Sequence, residues 1–361
     1  MQLDVDRSDL HHVRAVAHPP VPLLAGQARL RVDAFGMSAN NITYAVYGDL
    51  MRYWDCFPGV EEDGVAWGRV PVWGFGDVVE STAPGVAEGT RVYGYFPLAD
   101  EFVITPGRLD DRGFSDTAPS RESVPSVYAR YAVTGADRAY APGREDQQML
   151  LWPLFVTSFV VDDFLGDHDL FGSRTVVISS ASSKTAVGAA FLLAERDGVE
   201  VVGLTSPGNA GFVRSLGCYA SVLPYDAVAD LAATPTAFID VAGRKDVTHA
   251  VHTRLGDDLR YSMVVGDTHW DDTSSGDGGL PGPAPEFLFA PTQITKRRSE
   301  WGRDGFEEAV ARAWNRFVPW TDGWLTLRHA AGPSAVETVY RDVLDGRVDP
   351  AVGDICTLVG P

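Results

Sequence analysis

The chain has 361 residues, 45% of them hydrophobic and 22% charged, which is the composition of a globular protein large enough for two domains. Its formal net charge of −19 repels phosphate backbones and anionic lipids, so we expect neither nucleic acid nor a membrane as a partner. We expect no membrane span, since no window approaches about 20 apolar residues. The N-terminus lacks a signal-peptide pattern, which favours a cytoplasmic location.

The cysteines predict no structural chemistry. Cys56, Cys218 and Cys356 are odd in number and far apart, so they form neither a disulfide framework nor a CxxC metal knuckle. We expect three free thiols in a reducing compartment.

The first third of the chain has the pattern of a β-rich domain. Short apolar runs are interrupted by glycine and proline, which is typical of strands joined by turns. Residues 110–122 are polar and contain Gly, Ser, Asp and Pro, so they predict a surface loop.

Residues 175–206 predict a strand, a tight turn, a helix and a second strand within about 30 residues, the size of a dinucleotide-binding βαβ unit. The turn is built from small residues and opens the helix, so its backbone N–H groups point where a phosphate could bind. Glycines that usually occur in such a turn are missing.

Alternating strands and helices continue from this unit to residue 265, which predicts a parallel sheet covered on both faces. Residues 150–165 predict a helix that is buried nearly all round, and residues 306–317 and 335–344 predict two later helices. The Gly- and Pro-rich residues 271–286 predict a long loop, either a lid ordered by ligand or a passive insertion.

Several segments, in this order, resemble the medium-chain dehydrogenase/reductase superfamily, and most of all its zinc-free, quinone-oxidoreductase-like branch. They are LRVDAFGMSANNITYAVYGD (30–49), VPVWGFGDVVES (70–81), AEGTRVYGYFP (87–97), PLFVTSFVVDDF (153–164) and FVRSLGCYASVLPYD (212–226). The resemblance implies an α/β protein with a GroES-like β-rich catalytic domain and a Rossmann domain with a doubly wound parallel sheet. It places the first domain at residues 1–148, completed by about 300–361, and the second at residues 149–299. It also implies a possible homodimer.

The family's turn glycines correspond here to Ser180, Ser183, Lys184 and Ala186. Serines can keep a tight turn if their φ stays negative. The resemblance implies that a cofactor is bound at this turn and after a later strand, by residues Ser182, Ser183, Lys184, Thr185 and Gly266. A P-loop is disfavoured, because the GxxxxG spacing before the SSKT sequence is absent.

The end of the second strand of this unit predicts the type of cofactor. An acidic residue there would bind the ribose hydroxyls of NAD. The chain has Thr205, Ser206, Asn209 and Arg214 instead, which suit a 2′-phosphate, so we expect NADP(H). Tyr225 corresponds to a tyrosine that lies near the adenosine phosphate in zinc-free relatives, or else it is a half-buried loop residue.

Catalysis is expected to be independent of zinc. The segment that carries a zinc-binding His in alcohol-dehydrogenase relatives is Gly74-Phe75-Gly76 here, without a ligand. A hydroxyl or amide must then stabilise charge on the substrate oxygen. The resemblance favours Asn41 and Tyr44 for this role, and Thr157, with Ser158 as the alternative, for orienting the nicotinamide.

Two functions remain open at this point. One is an NADP(H)-dependent oxidoreductase that transfers hydride to a small carbonyl, quinone or activated alkene. The other is a non-catalytic relative that acts as a ligand-binding or regulatory protein, which the loss of turn glycines favours. The basic cluster Lys296, Arg297 and Arg298 is either a site for an anionic substrate group or a solvated face.

Overall fold

The computed structural model describes residues 1–17, 21–122, 124–265 and 279–360. The chain divides into two compact units, Met1–Pro153 with Leu325–Pro361, and Leu154–Trp324. The sequence placed the return to the first unit near residue 300. It occurs at Leu325, because the long helix Ala290–Thr321 continues in the second unit.

The first unit is β-rich, as expected, and its elements are numbered here in chain order with the rest of the molecule. Its strands are β1 (Gln2–Asp6), β2 (Val13–Val16), β3 (Ala28–Met37), β4 (Pro58–Glu62), β5 (Val65–Gly68), β6 (Pro71–Ser81), β7 (Arg91–Pro97), β8 (Glu101–Ile104), β9 (Pro106–Asp110), β10 (Gly113–Asp116), β11 (Arg130–Val133), β18 (Thr326–Ala331) and β19 (Val352–Thr357). Its helices are α1 (Ala39–Val46) and α7 (Pro333–Leu344), and α2 (Glu145–Asp167) begins in it.

Two sheets form the first unit. The larger has the order β18-β19-β3-β6-β7-β11-β10-β9, with β8 also paired to β3, and the smaller has the order β2-β1-β5-β4. Strand β10 corrects the expected surface loop at residues 110–122, since all its residues are buried. Composition misled here because Asp116 accepts a hydrogen bond from the Nε of buried Arg121 at 3.1 Å, so the two charges satisfy each other in the interior.

Helix α2 confirms the buried apolar helix expected at residues 150–165. With 23 residues and a mean hydropathy of 1.5, it is long and apolar enough to cross a membrane, contrary to the expectation that no window approaches a span. Half of its most apolar window is buried within the protein, and the core helix of a globular protein passes the same test of length and composition.

The second unit alternates strands and helices. They are β12 (Thr175–Ile178), α3 (Lys184–Ala194), β13 (Glu200–Thr205), α4 (Ala210–Ser215), β14 (Ser221–Pro224), β15 (Thr236–Asp240), α5 (Lys245–Leu255), β16 (Leu259–Val264), β17 (Glu286–Phe287) and α6 (Ala290–Thr321). Every pairing is parallel, and the order is β14-β13-β12-β15-β16-β17. In chain order this is 3-2-1-4-5-6, the Rossmann arrangement, which confirms the predicted fold class.

Alternating side chains of β12 explain why helices cover both faces of this sheet. Val176 and Ile178 pack in one core with residues of α2 and α3. Val177 packs in the other core, with Phe238 of β15 and Val251 of α5. A strand buried on both faces is typical of parallel sheets. Between β14 and β15 the chain forms a 3₁₀ segment, Tyr225–Asp230, in place of an α-helix.

Candidate functional site

The turn between β12 and α3 is built from serines. Ser183 has φ −72° and caps α3, its Oγ accepting a hydrogen bond from the N–H of Ala186 at 3.3 Å. Ser180 has φ +50°, in the left-handed region, so the expected negative φ holds for Ser183 and is wrong for Ser180. The N–H of Ser180 donates to the hydroxyl of Tyr225 at 3.1 Å, which holds this conformation in place.

Buried Asp240, at the end of β15, organises the turn from the neighbouring strand. Its Oδ1 accepts hydrogen bonds from the Ser179 hydroxyl at 2.6 Å and from the N–H groups of Ala242 and Gly243 at 3.1 Å. Its Oδ2 accepts from the Thr248 hydroxyl at 2.6 Å. The loops after β12 and β15 are therefore joined at the carboxyl ends of their strands, where open α/β sheets bind ligands.

The end of β13 meets the same turn. The Ala181 N–H donates to the Leu204 carbonyl at 3.0 Å, and Asn209 Nδ2 donates to Ser182 Oγ at 3.0 Å. Ser206 is half-buried, whereas Thr205 is 1% exposed. The structure thus brings Asn209 to the turn, and Ser206 rather than Thr205 presents an accessible side chain at this edge.

Close packing holds these strands and helices together. A Cβ on Gly203 of β13 would lie 2.9 Å from the Cβ of Ala181 and 3.0 Å from the Tyr219 ring. The Ser158 hydroxyl of α2 donates to the Thr185 carbonyl at 2.8 Å, and the Leu154 carbonyl lies 3.0 Å from the same oxygen as an alternative acceptor. Ser158 is therefore committed to helix packing, which leaves half-buried Thr157 as the candidate for orienting a cofactor.

Lys184 and Thr185 form the first turn of α3, and with Ser182 and Ser183 they are half-buried. N–H groups in a first helical turn have no intrahelical acceptor and carry partial positive charge, so they favour an anion. Gly266, also predicted to bind the cofactor, lies outside the described residues, as does most of the predicted loop 271–286. The role of that loop stays a prediction.

Two arginines near this edge differ in what they contact. Arg214, predicted to suit a 2′-phosphate, donates from Nη2 to the Val222 carbonyl at 3.4 Å. Arg244, which sequence reasoning missed, has its guanidinium carbon 5.1 Å from the centroid of the Tyr225 ring. Burial raises the pKa of Tyr225, which stays a neutral phenol. A cation directly after a buried strand was the signal that could have identified Arg244.

In the first unit, Asn41 completes the N-cap of α1. Its Oδ1 accepts a hydrogen bond from the Ser38 N–H at 2.8 Å, and its Nδ2 donates to the Pro71 carbonyl at 3.0 Å. These contacts account for the residue by local structure, and its catalytic role stays a prediction.

Tyr44 is held differently. Its hydroxyl oxygen accepts hydrogen bonds from Trp73 Nε1 at 2.9 Å and from Asn40 Nδ2 at 2.8 Å. With both lone pairs occupied, the hydroxyl proton is directed away from these donors. Burial raises the pKa of Tyr44, so the hydroxyl keeps its proton at neutral pH.

Tyr44 belongs to a tyrosine cluster, defined here as Tyr44, Tyr53, Tyr93, Tyr95 and Tyr128. The centroid of the Tyr44 ring lies 4.8 Å from that of Tyr53, 5.2 Å from that of Tyr95 and 6.1 Å from that of Tyr128. The Tyr93 and Tyr95 hydroxyls are buried without a hydrogen-bond partner among the described residues. Buried polar groups without partners are rare in folded proteins, and each one destabilises the folded state by the lost hydrogen bonds to water.

A cavity of about 710 Å³ borders the segment that supplies Tyr53. Its walls include Arg7, Arg52, Trp54 and Trp67, all in the first unit. This volume falls in the range of small-molecule sites.

Other predicted features have plain local explanations. Within the described ranges, no group of three or more His, Cys, Asp or Glu side chains could hold a metal ion, and the absence of zinc stays a prediction. Lys296 pairs with Asp167, and Arg297 pairs with Asp163 at 2.7 Å and Glu300 at 2.6 Å. Lys296 and Arg297 are therefore paired with carboxylates, Arg297 is buried, and the guanidinium carbon of Arg298 lies 5.7 Å from the centroid of the Phe306 ring.

Comparison with known families identifies the class of the chain. Residues 35–349 match the family described as "Protein of unknown function (DUF2855)". The match spans most of the sequence, so the chain belongs to this family. A search of curated proteins found no match.

Solved structures share the fold at low sequence identity. CurA from Vibrio vulnificus, in complex with NADPH, is 12% identical, with 96% of this chain and 94% of that chain covered and a TM-score of 0.59. Glucose dehydrogenase from Haloferax mediterranei is 10% identical, with 100% and 99% covered and a TM-score of 0.55. The yhdH oxidoreductase from Salmonella enterica, in complex with NADP, is 14% identical, with 96% and 95% covered and a TM-score of 0.52. These similarities show the fold, a GroES-like β-rich domain and a Rossmann domain with a doubly wound parallel sheet, which is the predicted fold class.

Proposed function

We propose that this protein is an NADP(H)-dependent oxidoreductase that transfers hydride to a small carbonyl, quinone or activated alkene without zinc. One observation carries the proposal: the 3-2-1-4-5-6 parallel sheet ends in a capped turn joined by hydrogen bonds to residues at the carboxyl ends of β13, β14 and β15. Structures of similar fold that contain NADPH or NADP support the choice of cofactor.

The chemistry of the turn fits a dinucleotide. Helix α3 presents its first-turn N–H groups, and half-buried Ser182 and Thr185 add hydroxyl donors for a pyrophosphate. Lys184 adds a cation to the same turn. Gly203 preserves the close packing of turn and second strand, which a glycine of the usual turn serves in other Rossmann proteins.

The edge next to the turn favours the phosphorylated cofactor. The end of β13 carries Ser206 and Asn209 and no carboxylate that would bind the ribose hydroxyls of NAD. Tyr225 lies against the same turn through its contact with Ser180. Thr205 is buried, so its predicted contact would have to come from a rearranged side chain.

Bound NADP(H) would supply or accept the hydride. Tyr44 is proposed to donate its hydroxyl proton in a hydrogen bond to the substrate oxygen, stabilising the charge that develops there. The donors Trp73 and Asn40 fix the direction of that proton, and burial keeps it on the oxygen at neutral pH. Thr157 is proposed to orient the nicotinamide. Zinc independence rests on the Gly74-Phe75-Gly76 segment.

Oxidation of NADPH in the presence of a quinone, an enone and an aldehyde tests this function. With a substrate that turns over, Tyr44→Phe should lower kcat about 100-fold, since one donor to a developing oxyanion is lost. Tyr140→Phe is the matched control, because the Tyr140 hydroxyl contacts Glu145 at 3.0 Å and should not affect turnover. Equal kcat for both variants would remove Tyr44 from the mechanism.

A non-catalytic, ligand-binding or regulatory role is the second candidate. The observation that favours it is that the Ser180 and Ala186 N–H groups are already bonded to Tyr225 and Ser183. Tight NADPH binding without turnover of any compound in the panel would support this role. The cytoplasmic location, the homodimer and the absence of nucleic-acid and membrane partners stay predictions.

A further inference from the structure

We propose that Arg244 is the residue that selects NADP(H) over NAD(H), by binding the 2′-phosphate from the loop after β15 with the Tyr225 ring as its support. This inference rests on the proposed cofactor. In Rossmann domains the residue that distinguishes the two cofactors usually follows the second strand, here β13, whereas Arg244 follows β15.

The position of Arg244 follows from the sheet. Strand β15 pairs directly with β12, so the loops after these strands are neighbours. Asp240 binds the N–H groups of Ala242 and Gly243 and the Ser179 hydroxyl, which fixes the backbone that leads to Arg244. Arg244 then caps α5, with its side chain 53% exposed and accessible to a ligand.

The orientation of Arg244 follows from two contacts. Its guanidinium lies over the Tyr225 ring, whose hydroxyl is bound to the Ser180 N–H of the turn. Nε and Nη2 of Arg244 also bind the two carboxylate oxygens of Asp246, with 3.1 Å between Nε and Oδ1. This pairing uses one edge of the guanidinium and leaves the Nη1 donors for an anion.

Neighbouring cations are engaged elsewhere. Arg214 donates to the Val222 carbonyl, and Arg254 donates from Nε to the Ala229 carbonyl at 2.8 Å. Arg244 instead extends over an aromatic ring at the edge where the adenosine ribose lies in this fold. An arginine matches a phosphate better than a point charge, since its planar donors bind two oxygens together.

Dissociation constants of NADPH and NADH, measured by calorimetry on folded variants, test the proposal. Arg244→Ala should raise the dissociation constant of NADPH about 10- to 100-fold, because charge-assisted hydrogen bonds to the phosphate are lost. The dissociation constant of NADH should stay unchanged. Arg244→Lys should restore part of the loss. Asp246→Asn should lower the dissociation constant of NADPH and not that of NADH, since it removes a carboxylate that competes with the phosphate for Arg244. Arg254→Ala is the matched control and should change neither constant.

Adenosine 2′,5′-bisphosphate and AMP provide a second readout without the nicotinamide half. Arg244→Ala should weaken binding of the bisphosphate and leave binding of AMP unchanged. An equal loss for NADPH and NADH would place Arg244 on the adenine or pyrophosphate and overturn the proposal, as would unchanged binding of both. If the wild-type protein bound neither dinucleotide, the proposed function itself would fail, and that result is distinct from a loss of selectivity.

Discussion

In the second unit, the Asp240 carboxylate accepts hydrogen bonds from two hydroxyls and two backbone N–H groups. In the first unit, the Tyr93 and Tyr95 hydroxyls are buried without a partner among the described residues. Both regions place polar groups in the interior, where an unmade hydrogen bond costs about 1–3 kcal/mol. One region satisfies its polar groups within the chain, and the other buries two hydroxyls without a protein partner among the described residues.

The difference separates two kinds of site. The turn of the second unit is preorganised, since its loops are fixed before any ligand binds. The tyrosine cluster differs, because it buries the Tyr93 and Tyr95 hydroxyls without a hydrogen-bond partner among the described residues. Removing the Tyr95 hydroxyl should therefore stabilise the protein, whereas removing the Asp240 carboxylate should destabilise it.

The largest effect is expected for Asp240→Ala. It leaves the Ser179 hydroxyl and the Gly243 N–H without their acceptor, which should lower the free energy of unfolding by about 3 kcal/mol. The Ala242 N–H keeps Ser179 Oγ at 2.9 Å and the Thr248 hydroxyl keeps the Arg244 carbonyl at 3.1 Å. Urea denaturation measures the change. Asp246→Ala is the control on an exposed neighbour and should cost much less. Equal losses would show that Asp240 does not organise the turn.

A smaller loss, about 2 kcal/mol, is expected for Gly203→Ala, because the new Cβ would lie 2.9 Å from Ala181 and the turn must move. The same variant should weaken NADPH binding. Gly208→Ala is the control, since its Cβ meets no atom within 4 Å. Wild-type stability for Gly203→Ala would mean that the turn is looser than its packing indicates.

In the tyrosine cluster, two variants should change the free energy of unfolding by about 1 kcal/mol each, in opposite directions. Tyr95→Phe should raise the free energy of unfolding, since it removes a buried hydroxyl without a partner. Tyr44→Phe should lower it, because the Trp73 and Asn40 donors lose their acceptor. Thermal denaturation of both variants measures these changes in stability. Destabilisation by Tyr95→Phe would show that its hydroxyl has a bound partner in solution.

The smallest effect concerns pH. Buried His252 lies between the Pro281 carbonyl at 2.9 Å and the Ser262 hydroxyl at 2.9 Å, and burial lowers its pKa. The unfolded chain therefore binds this proton more readily, near pH 6.5. The stability that neutral His252 contributes is present above that pH and is lost as pH falls towards the folded pKa. His252→Gln should reduce the pH dependence of the free energy of unfolding between about pH 7 and 5. His249→Gln, at an exposed position, should leave that dependence as it is.

The βαβ unit and its sheet could be predicted because their signal is local. Apolar runs with a small-residue turn, as in residues 175–206, indicate strand, turn and helix from neighbouring residues alone. The later helices were predicted for the same reason, and α6 and α7 confirm them. The left-handed φ of Ser180 was not predicted, since it depends on Tyr225, which lies 45 positions away.

Contacts between distant segments account for the other misses. The polarity of residues 110–122 gave no sign that Asp116 pairs with buried Arg121. Sequence reasoning identified Arg214, which follows the second strand, and missed Arg244, whose contact with the Tyr225 ring depends on the pairing of β15 with β12. Sequence patterns specify elements, and the side chains that meet at their ends depend on topology.

Calorimetric titration of the wild-type protein with NADPH and then with NADH tests the central claim most directly. The account predicts that NADPH binds one site per chain and does so at least about tenfold more tightly than NADH, a difference of about 1.4 kcal/mol. Lys184→Ala in the same experiment should weaken NADPH binding by about 1.5–3 kcal/mol, since the proposed site pairs the lysine charge with the pyrophosphate. Absence of heat with both dinucleotides would contradict the account, because the capped turn would then have no cofactor to hold.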